Sequence, residues 1–104
     1  MQFIITGKAI DAPMAPPPQA IAAYKATFEL FASGTDQRIK GIWPHADERA
    51  VTLLVEVDSG DDLSAFLAFL PAFFLSEFET HPVTSVDQVL RELTEIEQQL
   101  GASG

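Results

Sequence analysis

The chain has 104 residues, enough for one domain (1–104) built around one hydrophobic core. Six basic against fifteen acidic residues leave a net charge of -9, a field that repels phosphate backbones and anionic lipid surfaces and so argues against nucleic-acid or membrane partners. The hydrophobic share of 47% and charged share of 20% are those of a globular chain, and the lack of cysteine excludes a disulfide framework, a thiolate zinc site and a thiol nucleophile.

Gln2 to Lys8 is short, rich in β-branched residues and followed by breakers, which predicts a first strand. Its apolar run is too brief for a signal peptide or a spanning helix and has no basic flank, so the expected compartment is the cytoplasm. Asp11 to Pro18 holds four of the seven prolines and reads as an extended loop. From Pro18 the period changes: Ile21, Tyr24, Phe28 and Phe31 recur at helical spacing, and Gly34 is the natural stop.

Gln37 to Trp43 predicts a second strand, Pro44 to Glu48 a turn, and Ala50 to Val57 a third strand. Ser59 with Asp62 three residues on resembles a capping box, opening a helix with Leu63, Phe66, Leu67 and Leu70 on one face and Pro71 at its end. Phe73 to His81 predicts a fourth strand closed by Pro82. Ser85 with Gln88 then caps a last helix over 84–100, striped by Val86, Val89, Leu90, Leu93, Ile96 and Leu100 and stopped by Gly101.

The order β-α-β-β-α-β plus a C-terminal helix is the ferredoxin-like, α+β arrangement: a four-stranded antiparallel sheet with two helices on one face, occupying 1–83. The other sheet face is then open. Assigning Thr52, Leu54, Ser76, Phe78 and Thr80 to it gives a surface too apolar for water and too polar for a sealed core. A second copy would cover such a surface and enclose a semi-polar inter-sheet cavity for a small organic ligand. Glu77 and Glu79 fall on the opposite side of the last strand. Eight Phe in so short a chain point the same way, since they exceed what one small core takes.

Ile42-Trp43-Pro44-His45 running to Ala50, Val55-Glu56-Val57-Asp58-Ser59 running to Leu63, and Phe69-Leu70-Pro71-Ala72-Phe73 running to Glu79 together resemble the muconolactone isomerase family. A Trp ends its second strand there, and a Leu-Pro-x-Phe signature leads into a strand of acid, apolar residue, acid. Here these are Trp43, Leu70-Pro71-Ala72-Phe73 and Glu77-Phe78-Glu79. The resemblance runs from about Arg38 to Thr80. It implies a dimeric α+β barrel, in some cases assembled further, that moves a proton within a small unsaturated lactone of aromatic catabolism without a cofactor. Two features depart from the family pattern. The first strand has no ionisable residue before Lys8, and Pro44 stands where the family carries Arg.

Proton movement needs a base beside an acidified C–H and a donor for the developing enolate oxygen. Lys8, Glu56 and His81 are the candidates. Lys8 would bind a carboxylate or enolate, and its plain alternative is a solvated strand-end lysine. Glu56 would gain basicity by facing the inter-sheet space, its alternative being an ion pair to Arg38 or Lys40. His81 would shuttle a proton at the end of the fourth strand. Trp43, Phe78, Thr52, Thr80 and Tyr24 are the expected ligand-binding residues. His45, in a turn, reads as solvated. Two lone histidines among scattered acids lack metal-ligand spacing, so no metal is expected. Two other readings share the fold: a non-catalytic dimeric domain binding a small apolar ligand, and a cofactorless monooxygenase-like barrel.

Overall fold

The computed structural model describes residues 1–10 and 16–103. Its elements are β1 (Gln2–Ala9), α1 (Pro17–Ser33), β2 (Ile39–Pro44), β3 (Ala50–Glu56), α2 (Gly60–Ala68), a 3₁₀ turn (Phe73–Leu75), β4 (Ser76–Val83) and α3 (Val86–Ser103). The strands form one antiparallel sheet in the order β2-β3-β1-β4, the ferredoxin-like order in which the first and third strands are central.

Local chemistry explains most boundaries. Of the expected proline loop, 11–15 lie outside the described residues. Pro16 is the N-cap of α1, and the two prolines after it fill the first helical positions, where a missing N–H costs nothing. Gly34 ends α1 at φ 66°, a left-handed conformation that only glycine adopts without steric cost. Ser59 Oγ accepts from the Asp62 amide at 3.1 Å and starts α2. β2 begins at Ile39 rather than Gln37, because Asp36 folds back on Arg38 with 2.9 and 2.7 Å side-chain hydrogen bonds.

Four expectations need correcting. α2 ends at Ala68 with Phe69 as its cap, so Leu70 follows the helix and Pro71 does not end it. Phe73 to Leu75 is a 3₁₀ turn that buries Leu75, so β4 starts at Ser76. Pro82 does not close β4, which runs on to Val83; at the sheet edge a proline can leave its missing donor on the unpaired side. Gly101 lies inside α3, which continues to Ser103.

The register of β1 decides the faces. Gly7 is opposite both Val51 and Phe78, Ile5 opposite Leu53 and Thr80, and Phe3 opposite Val55 and Pro82. These rows share the covered face, where Ile5, Leu53 and Val55 are fully buried beneath Phe31 of α1 and Leu63, Phe66 and Leu67 of α2. Each large apolar side chain buried there stabilises the fold by about 1.5–3 kcal/mol. Thr6, Thr52 and Glu79 form a row of the opposite face, as do Ile4, Leu54 and His81. The expected grouping is therefore inverted on β4: Phe78 and Thr80 lie on the helix side, and Glu77 and Glu79 share the open face with Thr52 and Leu54. Alternation along one strand fixes its two sets, but only cross-strand pairing says which set faces which way.

Candidate functional site

Among the described residues, a cavity lies on the covered face, between the sheet and α1. Its volume of about 1130 Å³ is slightly above the usual range of small-molecule sites, and it is open on one side. Ile10, Ala20, Ile21, Phe28, Phe31 and Phe78 give it apolar walls, and Lys8, His45, Glu48 and Arg49 gather at one end.

Two hydrogen bonds hold α1 against the far wall. The Tyr24 hydroxyl donates to the Leu75 carbonyl. Buried Thr27 donates to the Ala23 carbonyl at 2.9 Å and accepts from the Ala72 amide at 3.0 Å. Ala72 and Leu75 flank the turn that follows Pro71, so Leu70-Pro71-Ala72-Phe73 presents backbone groups on which α1 is anchored. Phe73 in turn stacks on Phe78, with ring centroids 6.0 Å apart. The Leu-Pro-x-Phe segment thereby shapes the cavity wall through packing.

At this end of the sheet a chain of short contacts passes from the cavity rim to Thr52 of the open face. Lys8 Nζ lies 3.0 Å from Glu48 Oε2, and Glu48 Oε1 lies 2.9 Å from His45 Nδ1. His45 Nε2 lies 2.7 Å from Thr52 Oγ1. The hydrogen bond from His45, then that from Lys8, holds the Glu48 carboxyl below the ordinary glutamate range. An ionised Glu48 can only accept, so Nδ1–H donates to it, which leaves Nε2 to accept from the Thr52 hydroxyl. A carboxylate orienting an imidazole whose other nitrogen accepts a proton is an acid–base arrangement. The β2–β3 turn builds it: His45 N donates to the Ala50 carbonyl at 2.9 Å, curling the turn so that His45 and Glu48 face Lys8 of β1.

The expected residues divide between the two sides of the sheet. Tyr24 and Phe78 line the cavity, and Lys8 borders it at the strand end, although its register opposite Glu77 puts its side chain in the open-face set with Thr52. Thr80 shares the covered face but is exposed on the edge strand. Thr52 and Trp43 pair on the open face, where the Trp43 ring lies over Gly41 so closely that no Cβ fits there. Glu56 and His81 also stand on the open face. His81 Nε2 pairs with Glu79 Oε1 at 2.9 Å, and Arg38 is engaged by Asp36 rather than by Glu56. His45 and Glu48 are the residues that sequence reasoning missed. The one local signal was their spacing of three within a turn. What makes them a site is Lys8, some forty positions earlier.

His45, Asp47 and Glu48 could each turn a ligand atom toward a common point, all within 4.8 Å, but both acids are exposed and His45 is committed on both nitrogens. Among the described residues, no helix is long and apolar enough to cross a membrane.

No family model and no curated protein matches the chain. Among solved structures it is similar to the crystal structure of a muconolactone isomerase, with a TM-score of 0.68 and 21% identity over 82% of this chain and 90% of the other. At that identity the likeness establishes a common fold: a four-stranded antiparallel sheet with helices, in the α+β ferredoxin-like arrangement.

Proposed function

We propose that the protein is a cofactor-free isomerase of the muconolactone isomerase type, acting on a small unsaturated lactone or organic acid held in the cavity between the sheet and α1. The observation that carries this reading is the cavity itself: apolar walls along most of its length, bordered at one end of the sheet by the linked Lys8, Glu48 and His45. The substrate's ring would lie against Phe28, Phe31 and Phe78. His45 Nε2, released from Thr52, would take the proton from carbon beside the carbonyl, with Glu48 stabilising the imidazolium. Lys8 and Arg49 would hold the enolate oxygen or a carboxylate, and His45 would return the proton at the other end of the allylic system. One proton and one double bond change places, so the step needs no redox partner. Glu56 and His81 would join such chemistry only from the inter-sheet space of a dimer.

The protein would act in the cytoplasm as a homodimer closed through the open sheet face. Ile4, Trp43 and Val83 are each at least 36% exposed there, and Leu54 is half-buried, making an apolar surface of the kind a second sheet covers.

The test is turnover of muconolactone followed by ultraviolet absorbance at high protein concentration. Activity above background that falls at least tenfold in Lys8→Ala and in His45→Ala, with the oligomer intact, is the expected result. A second reading, a non-catalytic binding domain, is favoured by the predominantly apolar lining and by the separation of Glu56 and His81 from Lys8. Binding without turnover, and without exchange of substrate hydrogens in deuterium oxide, would establish that reading and sink the first.

A further inference from the structure

The histidine of the β2–β3 turn is aimed at a hydroxyl. Thr52 Oγ1 lies 2.7 Å from His45 Nε2, and His45 Nδ1 lies 2.9 Å from Glu48 Oε1. With Glu48 ionised, Nδ1–H donates to the carboxylate and Nε2 accepts from the Thr52 hydroxyl. Carboxylate, imidazole and hydroxyl thus stand in the order that activates an oxygen nucleophile. His45 and Thr52 are both half-buried, so the pair is packed yet reachable. Backbone bonds hold the turn in this shape. The His45 amide donates to the Ala50 carbonyl at 2.9 Å, and the Ala50 amide to the Glu48 carbonyl at 3.0 Å.

Thr52 belongs to the open face of the sheet, away from the cavity. Its cross-strand neighbours there are Thr6 of β1 and Trp43 of β2. The Trp43 ring lies over Gly41, toward the Leu54 pair and away from His45. At 56% exposed, it offers a flat apolar wall beside the hydroxyl. Cross-strand partners keep their Cβ atoms about 4.5–5.5 Å apart, which puts the Thr6 hydroxyl within reach of a carbonyl that Thr52 attacks. Lys8, two residues along the same face, adds a positive charge. The amides of β3 are engaged by its two flanking strands, so a developing oxyanion there meets a hydroxyl and an ammonium rather than a pair of fixed amides. So modest a cradle suits a leaving group that departs readily.

We propose that Thr52 is a nucleophile, and that Glu48, His45 and Thr52 together hydrolyse small aryl or enol esters on the open face. This activity goes beyond the isomerisation proposed above and uses the other side of the sheet. Thr52 Oγ1 attacks the ester carbonyl carbon while its proton passes to His45 Nε2. Collapse of the tetrahedral species breaks the bond to the leaving oxygen, which takes the proton from His45 and departs as the phenol or enol. Water, giving a proton to the same Nε2, then attacks the acyl carbon. The carboxylic acid leaves, and the proton returns to Thr52 Oγ1. Ester and water become acid and alcohol, and no further reactant is needed. A phenol ionises near pH 10, by the value for tyrosine at about 10, and so leaves without the strong oxyanion support that an amide requires. In the dimer proposed above, this face borders the space between two sheets, which admits small esters.

The probe is para-nitrophenyl acetate, added to the full chain. Release of para-nitrophenol should exceed that given by free imidazole at the same concentration. Acid quenching and mass spectrometry should find a single acetyl group, on Thr52. Thr52→Val, which keeps the shape, should lower release at least tenfold and abolish the adduct, with an unchanged urea midpoint showing that the fold survives. Thr52→Ser should keep both release and adduct. Undiminished release in Thr52→Val would overturn the proposal, and so would an acetyl group on His45 or Lys8 in place of Thr52. Release no faster than that of imidazole would do the same. The lactone assay follows a different product. Ester release without lactone turnover would sink the isomerase and leave Thr52 as a nucleophile; lactone turnover without ester release would do the reverse.

Discussion

The Phe78 ring stands directly over Gly7: a Cβ built on Gly7 would lie 3.0 Å from Phe78 Cε1 and 3.7 Å from Val51 Cγ1. The two residues are cross-strand partners on β1 and β4, and both line the cavity. The missing side chain on β1 is therefore the space into which the cavity's aromatic wall settles. Gly7→Val should push Phe78 off that position and disturb its stacking on Phe73. Overpacking of this kind costs about 1–3 kcal/mol. The expected result in urea unfolding is a lower midpoint with an unchanged slope, together with weaker ligand binding. An unchanged midpoint would mean that Phe78 has other room to move.

Thr27 is the one buried polar side chain among the described residues, and its hydroxyl is the partner of the Ala72 amide. Thr27→Val keeps the shape and removes the acceptor. A buried donor left without a partner costs about 1–3 kcal/mol. Thr27→Ser keeps the hydroxyl and should retain most of the stability that valine loses. Equal losses in the two variants would show that the methyl contact matters and the anchor does not.

Glu48 makes the polar end of the cavity sensitive to acid. Its carboxyl in the folded chain is held below its ordinary value of 4.5, chiefly by the His45 hydrogen bond and then by Lys8. A depressed carboxylate contributes stability above its unfolded value and loses that contribution as pH falls through the folded value. The wild type should thus be more stable than Glu48→Gln near neutrality. The difference should shrink from about pH 4.5 downward and vanish once both states are protonated. It should also be small, since the pair is solvent-exposed and screened by salt. Unfolding midpoints of both proteins across acidic pH decide this; a difference that grows toward low pH would contradict the assignment.

How much of this could be read from residues alone depends on the range of each interaction. The caps at Ser59 and Ser85 and the stop at Gly34 act within a few residues, and each falls where the sequence placed it. The Leu70-Pro71-Ala72-Phe73 segment was visible as a signature. Its task was not, because Ala72 and Leu75 are anchored by Thr27 and Tyr24 from α1, more than forty positions away. His45 read as a solvated turn residue for the same reason: its neighbours in the chain say nothing of Lys8 or Thr52.

The sequence by itself determined the order of strands and helices, the apolar stripe of each helix and the two alternating sets of each strand, because periodicity, caps and breakers act locally. Tertiary structure alone decided which of those sets faces the helices. That choice turned on a single row, Gly7 between Val51 and Phe78, and it put the Phe78 ring into the wall of a cavity beneath α1. The same holds for α3. Its stripe is written in the sequence, but among the described residues it stays exposed, because burial is a property of what surrounds a residue and not of the residue itself.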